Sequence, residues 1–195
     1  MAWWLAVLVV VGTAAAVWAL FDSEARDARE RWERDRHQVQ RSVEEHRRNI
    51  EANLSSAHAS YSFKLLNDLH WSSHQVGKHA YTALTDARRS LDVMGEMLVD
   101  AKRRRAELRE RLRGASKAQR EELQAEIDLL NDLRASIFPD KDELKMQRNE
   151  LLAEVRRLNA QTGELKLAIR DRCGSRGREW YRALEARTEA RRKWR

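Results

Sequence analysis

One proline in 195 residues leaves almost nothing to interrupt a helix, because proline is the residue that removes a backbone donor and clashes with the preceding turn. A single cysteine, Cys173, excludes an intramolecular disulfide. Aromatic residues make up only 7% of the chain, and beyond the first twenty residues no run rich in Val, Ile and aromatics, bounded by turn clusters, marks a strand. Also missing are a glycine-rich phosphate loop, paired cysteine ligands, a His-Glu-x-x-His and a Gly-x-Ser-x-Gly. These absences argue against a mixed sheet-and-helix body and leave enzymatic activity, a cofactor and a metal without support. What is abundant is charge, at 35% of residues, the composition of long helices and coiled coils. The expected fold is all-α: an N-terminal single transmembrane helix at residues 1–21, then long helices forming an elongated coiled coil or helical hairpin.

Residues Ala2 to Phe21 carry no charge, and Thr13 is the only polar side chain among them. Twenty residues of α-helix span ~30 Å, the thickness of the hydrocarbon core of a bilayer. Trp3, Trp4 and Trp18 stand near the two ends, where interfacial anchors belong. The competing reading, a cleaved signal peptide, lacks its positively charged leading region. Arg and Lys are absent before the run, and Arg26, Arg29, Arg31, Arg34 and Arg36 follow it. By the positive-inside rule this orients the N-terminus outside and residues 22–195 in the cytoplasm; an extracytoplasmic C-terminal region is the alternative.

Residues 22–83 read as a polar helical stalk. From Asp22 to Ile50 eight Arg balance eight acidic residues, and Trp32, Val39, Val43 and Ile50 are too sparse to suggest a buried seam. The stretch 58–81 is irregular and rich in His and aromatics. Tyr61, Phe63, His70, Trp71, His74 and Tyr81 are the candidate contacts for a partner protein, since aromatics dominate interface energetics. His70 and His74 have the i,i+4 spacing of metal ligands, but no third or fourth ligand accompanies them.

Apolar residues then recur at alternating spacings of three and four. Leu84, Leu91, Met94, Leu98, Leu108 and Leu112 form one frame, interrupted by Arg105, a charge of the kind that fixes register. A second frame, one residue out of phase, contains Leu123, Ile127, Leu130, Ile137, Leu144, Leu151, Val155, Leu158, Leu165 and Ile169, with Arg134, Lys141 and Arg148 at its centre. These sixteen apolar residues are the expected self-association seam, joining copies of the chain or a helical partner. The phase slips at 113–116, where Gly114 suits a helix end and Ser116 with Gln119 suits a capping box. Phe138-Pro139-Asp140 favours a turn before a last seam helix at 138–173, while the unchanged phase from Ile137 to Leu144 favours a kinked continuation.

The net charge of +7 is concentrated at the end: residues 170–195 hold ten basic and four acidic side chains, or +6. Within the tail 174–195 and just before it, Arg170, Arg172, Arg176, Arg178, Arg182, Arg191, Arg192, Lys193 and Arg195 are candidate contacts for anionic lipid or nucleic acid. Cys173 sits among Arg170, Arg172, Arg176 and Arg178, which are expected to lower its thiol pKa.

Two function classes emerge. One is a membrane-anchored coiled-coil scaffold that tethers or spaces a partner or itself, held by a bilayer through residues 2–21. The other is an envelope-bridging or membrane-disrupting protein: the outline of one N-terminal span and a helical ectodomain is similar to that of phage inner-membrane spanins, an architectural likeness carried by no motif. A nucleic-acid tether would rest on the basic tail alone.

Overall fold

The computed structural model describes the backbone of residues 2–55 and 62–193, and side chains from Asp27 onward except Ala118. Four helices account for nearly all of it: α1 (Ala2–Ser55), α2 (Phe63–Arg113), α3 (Lys117–Arg172) and α4 (Gly174–Lys193). No strand occurs among the described residues, so the fold is all-α. Among those residues no helix is long and apolar enough to cross a membrane. The apolar run 2–21 has a helical backbone within α1, but its side chains, like Tyr61 and Arg195, lie outside the described residues.

The chain divides into two units, one of Met1–Glu33 with Thr85–Asn149, the other of Arg34–Leu84 with Glu150–Arg195. In the first, α2 and α3 are antiparallel: Arg104 donates to Glu126 at 3.0 and 3.1 Å, and the seam charge Arg105 donates to Asn131 at 2.9 Å. The connection at 114–116 is short. Gly114 and Ala115 close it with bonds to the carbonyls of Arg111 and Leu112, and Gln119 accepts from the Ser116 backbone N–H at 3.0 Å, half of a capping box. The core of this unit is Ala28, Trp32, Ala87, Leu98, Ala101, Leu108, Ile127, Ile137 and Leu144. Leu91, Met94, Leu112, Leu123 and Leu130 are half-buried beside it.

In the second unit the core is Val43, Ile50, Leu66, Ala80, Ala83, Leu84, Leu151, Val155, Leu158, Leu165, Ala168 and Ile169. Arg47 of α1 reaches α3, pairing with Glu154 and donating to Gln161 at 3.3 Å. In both units most of the seam is buried among other helices of the same chain.

Three local expectations change. The first is the solvated stalk: Ala28, Trp32, Val43 and Ile50 are fully buried. At 100° per residue these four and Val39 fall within about 60° of one another, a narrow stripe that suffices for a helix packed in a groove between two others. The second is the irregular stretch, which from Phe63 onward is regular helix. The seam of α2 continues backward from Leu84 through Ala80, Gly77, Ser73, His70 and Leu66 to Phe63 with spacings of three and four intact. Ser73 is 1% exposed, and its hydroxyl is satisfied by the Leu69 carbonyl at 2.7 Å. The third is the turn at Pro139, which instead lies inside α3. Interior proline costs ~3 kcal/mol. Unbroken phase keeps both Ile137 and Leu144 buried, and each such side chain contributes about 1.5–3 kcal/mol. Ala135, whose carbonyl loses its donor, is exposed, so water can take that place.

Trp32 tests the packed reading of α1. Trp32→Ala is expected to destabilise the chain by about 3–5 kcal/mol in denaturant melts followed by circular dichroism. A change under ~0.5 kcal/mol, the usual effect of a surface substitution, would restore the solvated stalk.

Candidate functional site

The aromatic stretch of α2 and the basic C-terminal segment, far apart in sequence, meet in the second unit. Gly174 ends α3 with φ of +63°, the left-handed conformation that glycine adopts without strain. The chain turns directly into α4. Gly177 is buried, and a side chain there would run into the Ile169 carbonyl and the Cys173 Cβ. Close backbone approach at Gly177 thus lets α4 settle on the rest of the unit.

Once there, α4 is held by three kinds of contact. Trp180 meets Phe63 and His70 edge to face, with ring centroids 6.5 and 5.1 Å apart. Lys166 of α3 donates to Glu185 at 2.6 Å, which holds the Glu185 carboxyl below its ordinary range through that bond and the charges of Lys166 and Arg192. Cations stack on ring faces: Arg176 lies 4.6 Å over Phe63, and Lys166 and Arg170 lie 4.9 and 5.1 Å over Tyr181. Arg170 also donates to both oxygens of Asp171, and Arg172 donates to the Leu54 carbonyl.

The predicted contact residues therefore separate. Phe63 and His70 are half-buried under α4, while Trp71 and His74, which stack on one another at 6.3 Å, face outward. Tyr81 is also exposed and receives a hydrogen bond from Asn159. Of the basic candidates, Arg170, Arg172 and Arg176 are used internally, whereas Arg178, Arg182, Arg191, Arg192 and Lys193 are exposed and make no hydrogen bond or ion pair among the described residues. Residues 186–193 are exposed throughout, so the last two turns of α4 pack against nothing described. Lys166, Glu185 and Gly177 were not legible as site residues, because each acquires its role only through the reversal at Gly174.

Two chemical expectations are corrected or bounded. Burial pushes the Cys173 thiol up, so the thiol is not activated. Among the described residues no three or more His, Cys, Asp and Glu gather as metal ligands, and His70 and His74 have no third partner. His70 faces a ring and buried surroundings with its Nδ1 unpaired. Burial first, then the charges of His74 and Lys166, lower its pKa from 6.5 to about 4. Elsewhere in the unit an open groove of about 330 Å³ lies between α1 and α2, lined by Asp35, Gln38, Ser42, His79, Thr82 and three apolar residues. No hydrogen bond couples a nucleophile to a base within it.

Compared with known protein families, curated proteins and solved structures, the chain matches none.

A depressed histidine pKa means that the unfolded or undocked state binds the proton more readily, so the His70 contribution is complete above pH 6.5 and is lost as pH falls towards about 4. Docking of α4, read through the indole N–H resonance of Trp180 identified by its loss in Trp180→Phe, is expected to weaken over that window, and His70→Phe to remove the dependence. A pH-independent signal in the unaltered chain between pH 7 and 4.5 would contradict the buried neutral imidazole. Gly177→Ala is expected to loosen α4, seen as faster proteolysis after Arg176 and Arg178 with the rest of the chain intact; unchanged cleavage would mean that the close approach does not hold the helix.

Proposed function

We propose that the chain is a non-enzymatic, membrane-anchored helical scaffold that holds a partner protein, or further copies of itself, at a bilayer. The observation that carries this reading is helical continuity: the uncharged run at 2–21 is long enough to cross a bilayer, and its backbone runs without interruption into the charged, packed part of α1. A bilayer holds the chain through residues 2–21, and residues 22–195 extend on the cytoplasmic side, as the five flanking arginines favour. Most of the leucine seam is buried among helices of the same chain, which leaves the outer surfaces for partners or copies. Large apolar side chains left open in the first unit, Val99, Leu129, Phe138 and Met146 at 45–69% exposure, support a binding role for that surface. In the second unit Trp71 and Tyr81, at 43% and 47% exposure, support the same for α2.

The test is extraction and topology together. Membranes from cells expressing the chain are expected to retain it through alkaline carbonate washing, and deletion of residues 2–21 to release it. A reporter active only outside the cytoplasm, fused after Arg195, is expected to stay silent. Release of the full chain by carbonate would end the anchored reading; an active reporter would move the helical region across the membrane, as the spanin-like alternative requires.

A further inference from the structure

We propose that the outward face of α4 docks on the phosphate backbone of nucleic acid, without reading base sequence. Docking of α4 leaves its basic side chains in a fixed array. At 100° per residue, Gly177, Trp180, Tyr181 and Leu184 occupy one sector of the helix, and that sector is turned into the unit. Arg178, Arg182, Arg192 and Lys193 occupy another sector about 100° wide, centred roughly 120° away. All four are exposed and make no hydrogen bond or ion pair among the described residues, although the Arg192 charge also acts on Glu185. From Arg178 to Lys193 the stripe extends ~22 Å along the helix, a length that covers several phosphates of one strand.

The choice between lipid headgroups and nucleic acid follows from what α4 has already used. An interfacial helix binds a membrane by burying its apolar face among acyl chains, with cations assisting. The apolar residues of α4 are Trp180, Tyr181 and Leu184, and they are half-buried in the dock against Phe63, His70 and Lys166. Among the described residues, what α4 leaves outside is Arg, Lys, Glu, Ala, Gly, Ser and Thr, with no large apolar side chain to insert. Neutralising phosphates needs no insertion; it needs clustered cations on a preformed scaffold, and guanidinium groups match phosphate geometry in two-pronged fashion. Glu179 and Glu189 lie on the exposed side of the same helix and weaken the field there, so the surface suits non-specific contact of modest affinity. The inference does not depend on whether residues 2–21 cross a bilayer.

The measurement is fluorescence anisotropy of a labelled duplex of arbitrary sequence with the full chain in neutral detergent, at salt from 50 to 200 mM. With four phosphates neutralised, affinity is expected to fall about 10²-fold over that range, a log–log slope of roughly −3.6. Arg178→Gln, Arg182→Gln, Arg192→Gln and Lys193→Gln together should bring the slope close to zero, while Arg178→Lys with Arg182→Lys should leave it near its starting value. Glu179→Gln with Glu189→Gln should tighten binding several-fold. Circular dichroism and the Trp180 indole N–H resonance check that the exposed substitutions leave the fold and the dock intact. Undetectable binding at 50 mM salt, binding that survives the fourfold variant, or no gain from the glutamate substitutions would each overturn the proposal. So would capture of phosphatidylglycerol vesicles, but not of the duplex, by the chain held in phosphatidylcholine nanodiscs.

Discussion

The structure depends on covering narrow apolar stripes on helices that are otherwise charged. Each of α1, α2 and α3 offers one such stripe, and within each unit the three stripes bury one another. Leu108, Leu144, Leu158, Leu165 and Ile169 are 0–1% exposed, as are Trp32, Val43 and Ile50. Burial on this scale, at about 1.5–3 kcal/mol for each large side chain, outweighs the ion pairs that decorate the surface. Arg88–Asp92 is representative: both side chains are mostly exposed, and such pairs contribute ~0–1 kcal/mol. Charge keeps these helices soluble and in register, while the stripes hold them together.

How much of this could be read from the sequence depended on side-chain size. The frames from Leu84 to Leu112 and from Leu123 to Ile169 were legible because large aliphatic residues mark them. The same frame between Phe63 and Ala80 was not, because Ser73, Gly77 and Ala80 carry no hydrophobic signal, although small residues are what a close helix contact requires. In α1 the pattern was present but thin: five apolar residues over 23 positions look accidental until their angular positions are compared. Pro139 misled in the opposite direction. Its local preference for a turn is real, but the uninterrupted stripe on either side outweighs it.

The site shows a similar division. Aromatics at 58–81 and cations at 170–195 were each visible as patches in the sequence. Their meeting was not visible, because it rests on one left-handed glycine and one buried glycine in the Gly174–Gly177 turn. That turn goes with three of the predicted basic residues, Arg170, Arg172 and Arg176, making structural contacts, while five others face outward. Burial of Cys173 raises its thiol pKa, opposite to the shift expected from the sequence.

Pro139 also determines where α3 is softest. A helix of 56 residues resists bending through its ladder of backbone bonds, and at the Ala135 carbonyl one rung is missing. Lateral load on α3 therefore concentrates beside this residue, with Ile137 and Leu144 clamped as shoulders of the joint. The stacking of Arg134 over Phe138, at 5.6 Å, lies on the neighbouring turn and splints it.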